Sequence, residues 1–370
     1  MDTLLQTVDA VLLWLVQPGI VNILALSGLK AFIVLNLILV IAAFLVWLER
    51  KVSAWMQYRD GPNRVGPFGL LQPLADVLKL YTKEDIVPSN ADQFFHKLAP
   101  VISIAIAISI LCVVIPATYI YVGAEKLKFY FSVAPNVNVG MLVILALTSM
   151  GVFGVTLAGW SSNNKYSLMG GLRSSAQMIS YELSMGLALI GVLMLAGSLD
   201  MNSIIASQAD GKWNIFFQPL GFIIFLVASF AETNRAPFDL PEAEPELVGG
   251  YHTEYSGMKF GLFYLAEYAN MATSSAVLTT LFLGGYDAPF AKQLLGLQDG
   301  TLLMVLVQFG TFFAKVFALL FFFIWVRWTL PRFRYDQLMN LGWKVMLPLS
   351  LANILVTGGV MLVLKQFGIL

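Results

Sequence analysis

Apolar windows about twenty residues long recur through this chain with few charges inside them, and that recurrence leaves few folds open. Eight are clear: 30–48, 99–122, 139–160, 175–197, 214–233, 261–284, 302–326 and 345–364. Each is long enough to cross a hydrocarbon layer of ~30 Å as a helix. A transmembrane barrel would show short alternating segments instead. With 58% of its 370 residues hydrophobic and 12% charged, the chain reads as all-α, a polytopic integral membrane protein of about eight transmembrane helices. A ninth apolar stretch, 10–29, is broken by Pro18 and Gly19, and a mid-helix proline removes a backbone hydrogen bond. Residues 1–29 are therefore expected to form an interfacial or half-inserted segment, followed by one transmembrane domain over 30–370.

Basic residues set the expected orientation, because they concentrate on the cytoplasmic side. The loops after the first, third, fifth and seventh windows hold 15 Lys and Arg, and those after the second, fourth and sixth hold 4. Loops 49–98, 161–174, 234–260 and 327–344 are then cytoplasmic, and both termini are periplasmic. No basic region followed by a short apolar core and a cleavage site opens the chain, so no removable signal peptide is expected. In the first loop, Leu71, Leu74, Leu78 and Tyr81 recur at helical spacing, with Asp76, Lys79 and Lys83 on other faces. That pattern predicts an amphipathic interfacial helix.

Redox and metal chemistry within the chain is constrained by residue supply. Iron–sulfur clusters and structural zinc take sets of Cys or His ligands, whereas the chain has one cysteine, Cys112, and two histidines, His96 and His252. No phosphate-binding glycine loop is present. Neither Fe–S, flavin nor metal is expected in this chain, and nucleic acid is not an expected partner. Cys112, inside an apolar window, reads as a packed core residue.

The charges that do enter the windows are the sharper signal. Glu182 and Glu267 fall six or seven residues inside theirs, ~9–11 Å below the helix ends. Lys315 is near the middle of the seventh window, ~8 Å deeper. Ionisable groups at that depth are costly and by default mark a pathway or site. A buried Glu–Lys pair that only fixes packing is the alternative. The loop Ala231 to Gly257, "AETNRAPFDLPEAEPELVGGYHTEYSG", holds six acids and one arginine among 27 residues. Glu242, Glu244 and Glu246 alternate within it, and Pro241 and Pro245 argue against a regular helix. Like charges that close raise one another's pKa, and coupled carboxylates can pass protons near neutrality. A solvated acidic turn is the alternative reading. Glu232, at the end of the fifth window, and Glu182 extend the acids into the membrane.

Four stretches carry a resemblance: "LERKVSAWMQYRDGPNRVGPFGLLQPLADVLKL", "GWSSNNKYSLMGGLRSSAQMISYE", "AETNRAPFDLPEAEPELVGGYHTEYSGMKFGLFYLAEY" and "LPRFRYDQLMNLGWKVMLPL". They resemble one family of membrane subunits of bacterial respiratory complex I, NADH-quinone oxidoreductase, the family whose mitochondrial counterpart is complex I subunit 1. The likeness runs from about residue 30 to residue 365. It implies a subunit of the cell inner membrane that forms most of a quinone chamber. The quinone is the bound substrate, reduced by an iron–sulfur cluster on a neighbouring soluble subunit. The implied chamber residues are Glu49, Arg50, Arg59, Asp76, Arg235, Phe238 and Asp239. The implied proton path, coupling quinone reduction to pumping, runs through Glu182, Glu232, Glu242, Glu244, Glu246 and Glu267, with Lys315 as a further candidate. Arg173, Arg332, Arg334 and Asp336 match family positions and are assigned to loop architecture and subunit docking. Implied partners are the Fe–S-bearing soluble subunits, small membrane subunits, antiporter-like subunits and membrane lipid. Two other readings stay open: the homologous component of a membrane-bound hydrogenase or ferredoxin-linked complex, and a self-sufficient secondary transporter, for which the inverted repeats are missing.

Overall fold

The computed structural model describes residues 20–122, 127–134, 137–241, 244–288, 296 and 300–367. A helix occupies each expected window. They are α1 (Ile20–Met56), α3 (Gln93–Val113), α4 (Gly140–Ser161), α5 (Lys165–Ala196), α6 (Pro219–Glu232), α7 (Gly257–Phe282), α8 (Leu302–Thr329) and α9 (Tyr335–Gln366). The amphipathic segment forms α2 (Gln72–Thr82), and Leu71, Leu74, Leu78 and Tyr81 are exposed on the molecular surface.

Six of the eight helices, not all eight, are long and apolar enough to cross a membrane. The exceptions have different causes. α6 has 14 residues, because Pro219 starts it after a break at Gln218, whose carbonyl accepts from Phe222 N. α7 has ample length at 26 residues, but Glu267, Asn270, Thr273, Ser275, Thr279 and Thr280 dilute its hydropathy. It tolerates them because it runs inside the bundle, against α1, α2, α3, α6 and α8. Ser275, Thr279 and Thr280 are fully buried and donate to carbonyls one turn back at 2.8–2.9 Å, which satisfies the hydroxyls without a partner helix.

Three window boundaries move. α1 begins at Ile20 and runs without interruption through 20–29, while 1–19 lie outside the described residues. The second helix ends at Val113, not 122; Pro116 follows, and Tyr119–Val122 (β1) pairs antiparallel with Leu127–Tyr130 (β2), Tyr119 opposite Tyr130. β-Branched and aromatic residues favour that extended pairing. The loop expected at 161–174 is helical from Lys165, where the Asn164 side chain caps Tyr166 N at 2.9 Å. Gly170 and Gly171 let this end of α5 approach its neighbours. A Cβ on Gly170 would lie 2.7 Å from Tyr251 N, and one on Gly159 of α4 would lie 2.6 Å from Ser167 O. In α9, residues Leu341–Met346 form a π segment, and Trp343 Nε1 donates to Ser180 Oγ of α5 at 3.0 Å.

Candidate functional site: a buried arginine between two glutamates

Helices α1, α6, α7 and α8 bring charged residues together at one end of the bundle. α1 presents Glu49, the turn after α6 presents Arg235, α7 presents Glu267, and α8 presents Arg327. Arg235 is 3% exposed. Its NH1 lies 3.2 Å from Glu49 Oε2, and its NH2 is at ion-pair distance from Glu267 Oε2, 3.4 Å. The guanidinium also sits over the Tyr268 ring, 4.2 Å from its centroid. Burial works against charge there, but Tyr268, Glu49 and Glu267 outweigh it and raise the guanidinium pKa further above its ordinary value. Glu49 is itself buried and receives Arg327 NH1 at 2.5 Å and the Tyr268 hydroxyl at 2.7 Å. Tyr251 Oη donates to Glu267 Oε1 at 3.2 Å. Two carboxylates and two guanidiniums thus neutralise one another, the condition under which buried charge is tolerable.

The turn that carries Arg235 is held by one side-chain amide. Gln177 Nε2 of α5 donates to Ala231 O at 2.7 Å and to Phe238 O at 2.8 Å. Asn234 adopts a positive φ of 51°, a conformation asparagine tolerates better than most residues.

From Glu267 the acids continue inward. Glu267 and Glu232 both line a cavity of about 30 Å³ with Asn234, Tyr251 and Asn270. Glu232 also lines a second cavity, about 20 Å³, with Thr148, Thr273 and Ser274. Each has room for about one or two water molecules and places several polar groups among apolar walls. Glu182 of α5 accepts a hydrogen bond from Ser149 of α4, next to Thr148, and lies close enough to Glu232 for their charges to repel.

The other sequence-derived candidates divide. Arg50 pairs with Asp76 at 2.6 Å and ties α1 to α2. Beside them an open cavity of about 390 Å³ is lined by Trp47, Lys51, Trp55, Asp60, Asn63 and Phe68. Arg59 is exposed. Phe238 packs edge-on to Tyr181, 5.4 Å between ring centroids, and Asp239 pairs with Arg332 at 2.7 Å. Both therefore help secure the loop, Phe238 against α5 and Asp239 against the segment before α9. Arg334 pairs with Asp336 on the surface.

Of the three alternating glutamates, Glu244 and Glu246 do not lie on an extended strand. Glu244–Leu247 is a helical turn, with Pro245 in the first turn, where proline is tolerated. Glu246 pairs with Arg173 at 2.5 Å, while Glu242 and the side chain of Glu244 lie outside the described residues. Lys315 stands apart from Glu49, Glu267, Glu232 and Glu182, and the acid near it is Asp287. Its ammonium donates to the carbonyls of Leu283, Gly285 and Asp287 at 2.8, 3.0 and 2.9 Å. Those atoms follow the far end of α7, ~24 Å along the helix from Glu267. Cys112 is half-buried, not core. His96 is fully buried and stacks on Tyr255, 4.0 Å between centroids. Burial pushes the Tyr255 phenol up to about 12, so it stays neutral.

The fold and site define a class: a polytopic α-helical membrane protein with a charge-balanced cluster and buried carboxylates running into its helical bundle. The family described as NADH dehydrogenase matches residues 29–358, and the chain belongs to that family. It is 54% identical over 336 residues to NADH-quinone oxidoreductase subunit 8 of Rhodothermus marinus, covering 89% of this chain and 95% of that protein. It is 53% identical over 344 residues to an NADH-quinone oxidoreductase subunit of Salinibacter ruber, covering 91% and 96%. An NADH-quinone oxidoreductase subunit of Geobacter sulfurreducens is 48% identical over 344 residues, covering 93% and 99%.

Proposed function

We propose that this chain is the membrane subunit of a proton-translocating NADH:quinone oxidoreductase that houses the quinone and couples its reduction to proton movement. One observation carries the reading: the buried cluster Glu49–Arg235–Glu267 continues through a small cavity to Glu232, whose charge in turn is felt by Glu182. Electrons come from an iron–sulfur cluster on a soluble partner subunit. Reduction of the quinone to quinol takes two electrons and two protons, so negative charge develops on the head group before protons arrive. At short range in a poorly screened site such charge couples strongly to nearby ions. Arg235 is the responsive group. When its guanidinium is drawn toward new negative charge, Glu49 and Glu267 lose part of their compensation, which favours taking up a proton. Glu267 then takes a proton by way of its cavity from Glu232, and Glu232 from Glu182, on the side leading to the antiporter-like subunits.

The open cavity at Trp47, Trp55 and Phe68 is the way in from the bilayer. It lies beside the Arg50–Asp76 pair, at the interface where tryptophan is favoured. In this reading the charged loops face the cytoplasm of a bacterial inner membrane and the termini face the periplasm. Lys315 is outside the path.

The test uses the assembled complex reconstituted in vesicles, with quinone turnover and the proton gradient measured together. Glu232→Gln and Glu182→Gln keep shape but cannot release a proton. Both should lower turnover and gradient in parallel by about a hundred-fold, the low end for lost proton transfer, while NADH:ferricyanide reduction on the partner subunits persists. Normal turnover with a normal gradient in both variants would overturn the path.

A further inference from the structure

A cavity of about 290 Å³ lies away from the charged cluster. Its walls are one stripe of α1 (Val34, Leu37, Ile41, Phe44), the small residues Ala272 and Ala276 of α7, and the aromatic face of α8 around Phe313 and Phe317. Ser132 supplies almost the only polar contact, beside Phe131 and Val133 after β2. Such a cavity does not attract water, and left empty its lining forfeits dispersion contacts. In a bilayer the available filler is hydrocarbon.

Depth and charge narrow the occupant. From Val34 to Leu45 the cavity runs ~16 Å along α1, about half of a ~30 Å hydrocarbon core. That is the reach of one leaflet. Toward Glu49 its lining ends at Leu45 and Leu320, next to Phe44 and Phe317, whose ring centroids are 6.4 Å apart. At the other end stands Lys30, one turn before Val34 on the same stripe of α1. Its ammonium donates to Ser132 O at 3.2 Å and lies over the Phe129 ring. An ammonium has three donors, so capacity remains for an anion. Lys128 of β2 adds a second, exposed cation nearby. Among the described residues, neither lysine forms an ion pair with a carboxylate.

We propose that this cavity binds one acyl chain of an anionic phospholipid from the leaflet opposite the Glu49 end, with Lys30 holding its phosphate. This goes beyond the quinone reading and does not depend on it. The lipid closes the wall between α1 and α8 and keeps that face of the bundle sealed.

The assembled complex is placed in nanodiscs containing phosphatidylglycerol with a diazirine at mid-chain. A second preparation carries the same chain on phosphatidylcholine, and a third adds excess long-tailed quinone. On irradiation, phosphatidylglycerol should label residues 34–45 and 312–320 roughly five-fold more than phosphatidylcholine, the ratio expected of one favourable interfacial lysine. Lys30→Gln, a change at the rim, should remove the preference and leave the phosphatidylcholine level. Ala276→Leu, which fills the back wall, should reduce labelling by both lipids. The proposal falls if the two lipids label equally in the unaltered complex, if Lys30→Gln keeps the preference, or if excess quinone displaces the label.

Discussion

Glu49 divides its two carboxylate oxygens between two arginines: Oε1 receives Arg327 of α8 at 2.5 Å, and Oε2 receives Arg235 at 3.2 Å together with the Tyr268 hydroxyl. One acid therefore pins four elements, α1, α7, α8 and the turn after α6. Removing one partner of a buried ion pair leaves an uncompensated charge and costs ~3–5 kcal/mol. Glu49→Ala should lower the thermal stability of the purified complex and its quinone reductase rate together. Arg327→Gln combined with Glu49→Gln should lose less stability than the two single changes added. Strict additivity in that cycle would mean that the contact does not couple the two helices.

Lys315 and Glu267 make contrasting predictions. Lys315 ties three carbonyls after α7, so Lys315→Met should lower stability by ~1–3 kcal/mol through unsatisfied carbonyls. In complexes that survive purification, the proton yield per quinone reduced should be unchanged. Glu267→Gln keeps the side chain's shape and should instead depress quinone turnover in the complexes that assemble, where Lys315→Met leaves it unchanged. A changed proton yield in Lys315→Met would return this lysine to the path.

Close approach at Gly170 is the next test. A methyl group there would press on Tyr251 N at 2.7 Å and on Gly250 at 2.8 Å, and backbone cannot yield as a flexible side chain does. Gly170→Ala should cost ~1–3 kcal/mol and displace Tyr251, weakening its hydrogen bond to Glu267. Turnover should fall with it. Gly186→Ala, also in α5, has open space around the new carbon and should be silent in both assays.

Orientation is checked with single cysteines at two exposed positions, Ser89 before α3 and Lys212 before α6. An impermeant maleimide applied to intact cells should label position 212 and reach position 89 only after the membrane is opened. The reverse pattern would invert the orientation.

Charge inside the windows makes Glu182 and Glu267 legible as candidates, because charge at that depth demands an explanation, whereas Glu49 and Arg235 enter as chamber residues only through the family resemblance. Their pairing is not legible, since it depends on which faces of distant helices meet. Arg327 counts in the sequence only toward the positive-inside bias, and Tyr268 only as one more aromatic, yet both close on Glu49. Lys315 shows the converse. Its mid-window position is plain, but helix register sends it to the carbonyls after α7, beside Asp287, and away from Glu267. The hairpin after α3 is hidden because an apolar run of mixed β-branched and aromatic residues looks the same to a hydropathy window whether it ends a helix or begins a strand.

The polar interior of α7 has a consequence for biogenesis. A carboxylate-type residue at a helix centre opposes insertion by ~2.5–3.5 kcal/mol, and α7 adds buried hydroxyls to Glu267. Released alone into lipid, such a segment has a weak thermodynamic claim to stay there. Surrounded by α1, α3, α6 and α8, it has its hydroxyls turned onto its own backbone and its glutamate on Arg235. Most of those partners, α1, α3, α6 and Arg235, precede α7 in the chain, so the surroundings that accommodate its polar groups are already made when it enters the bilayer.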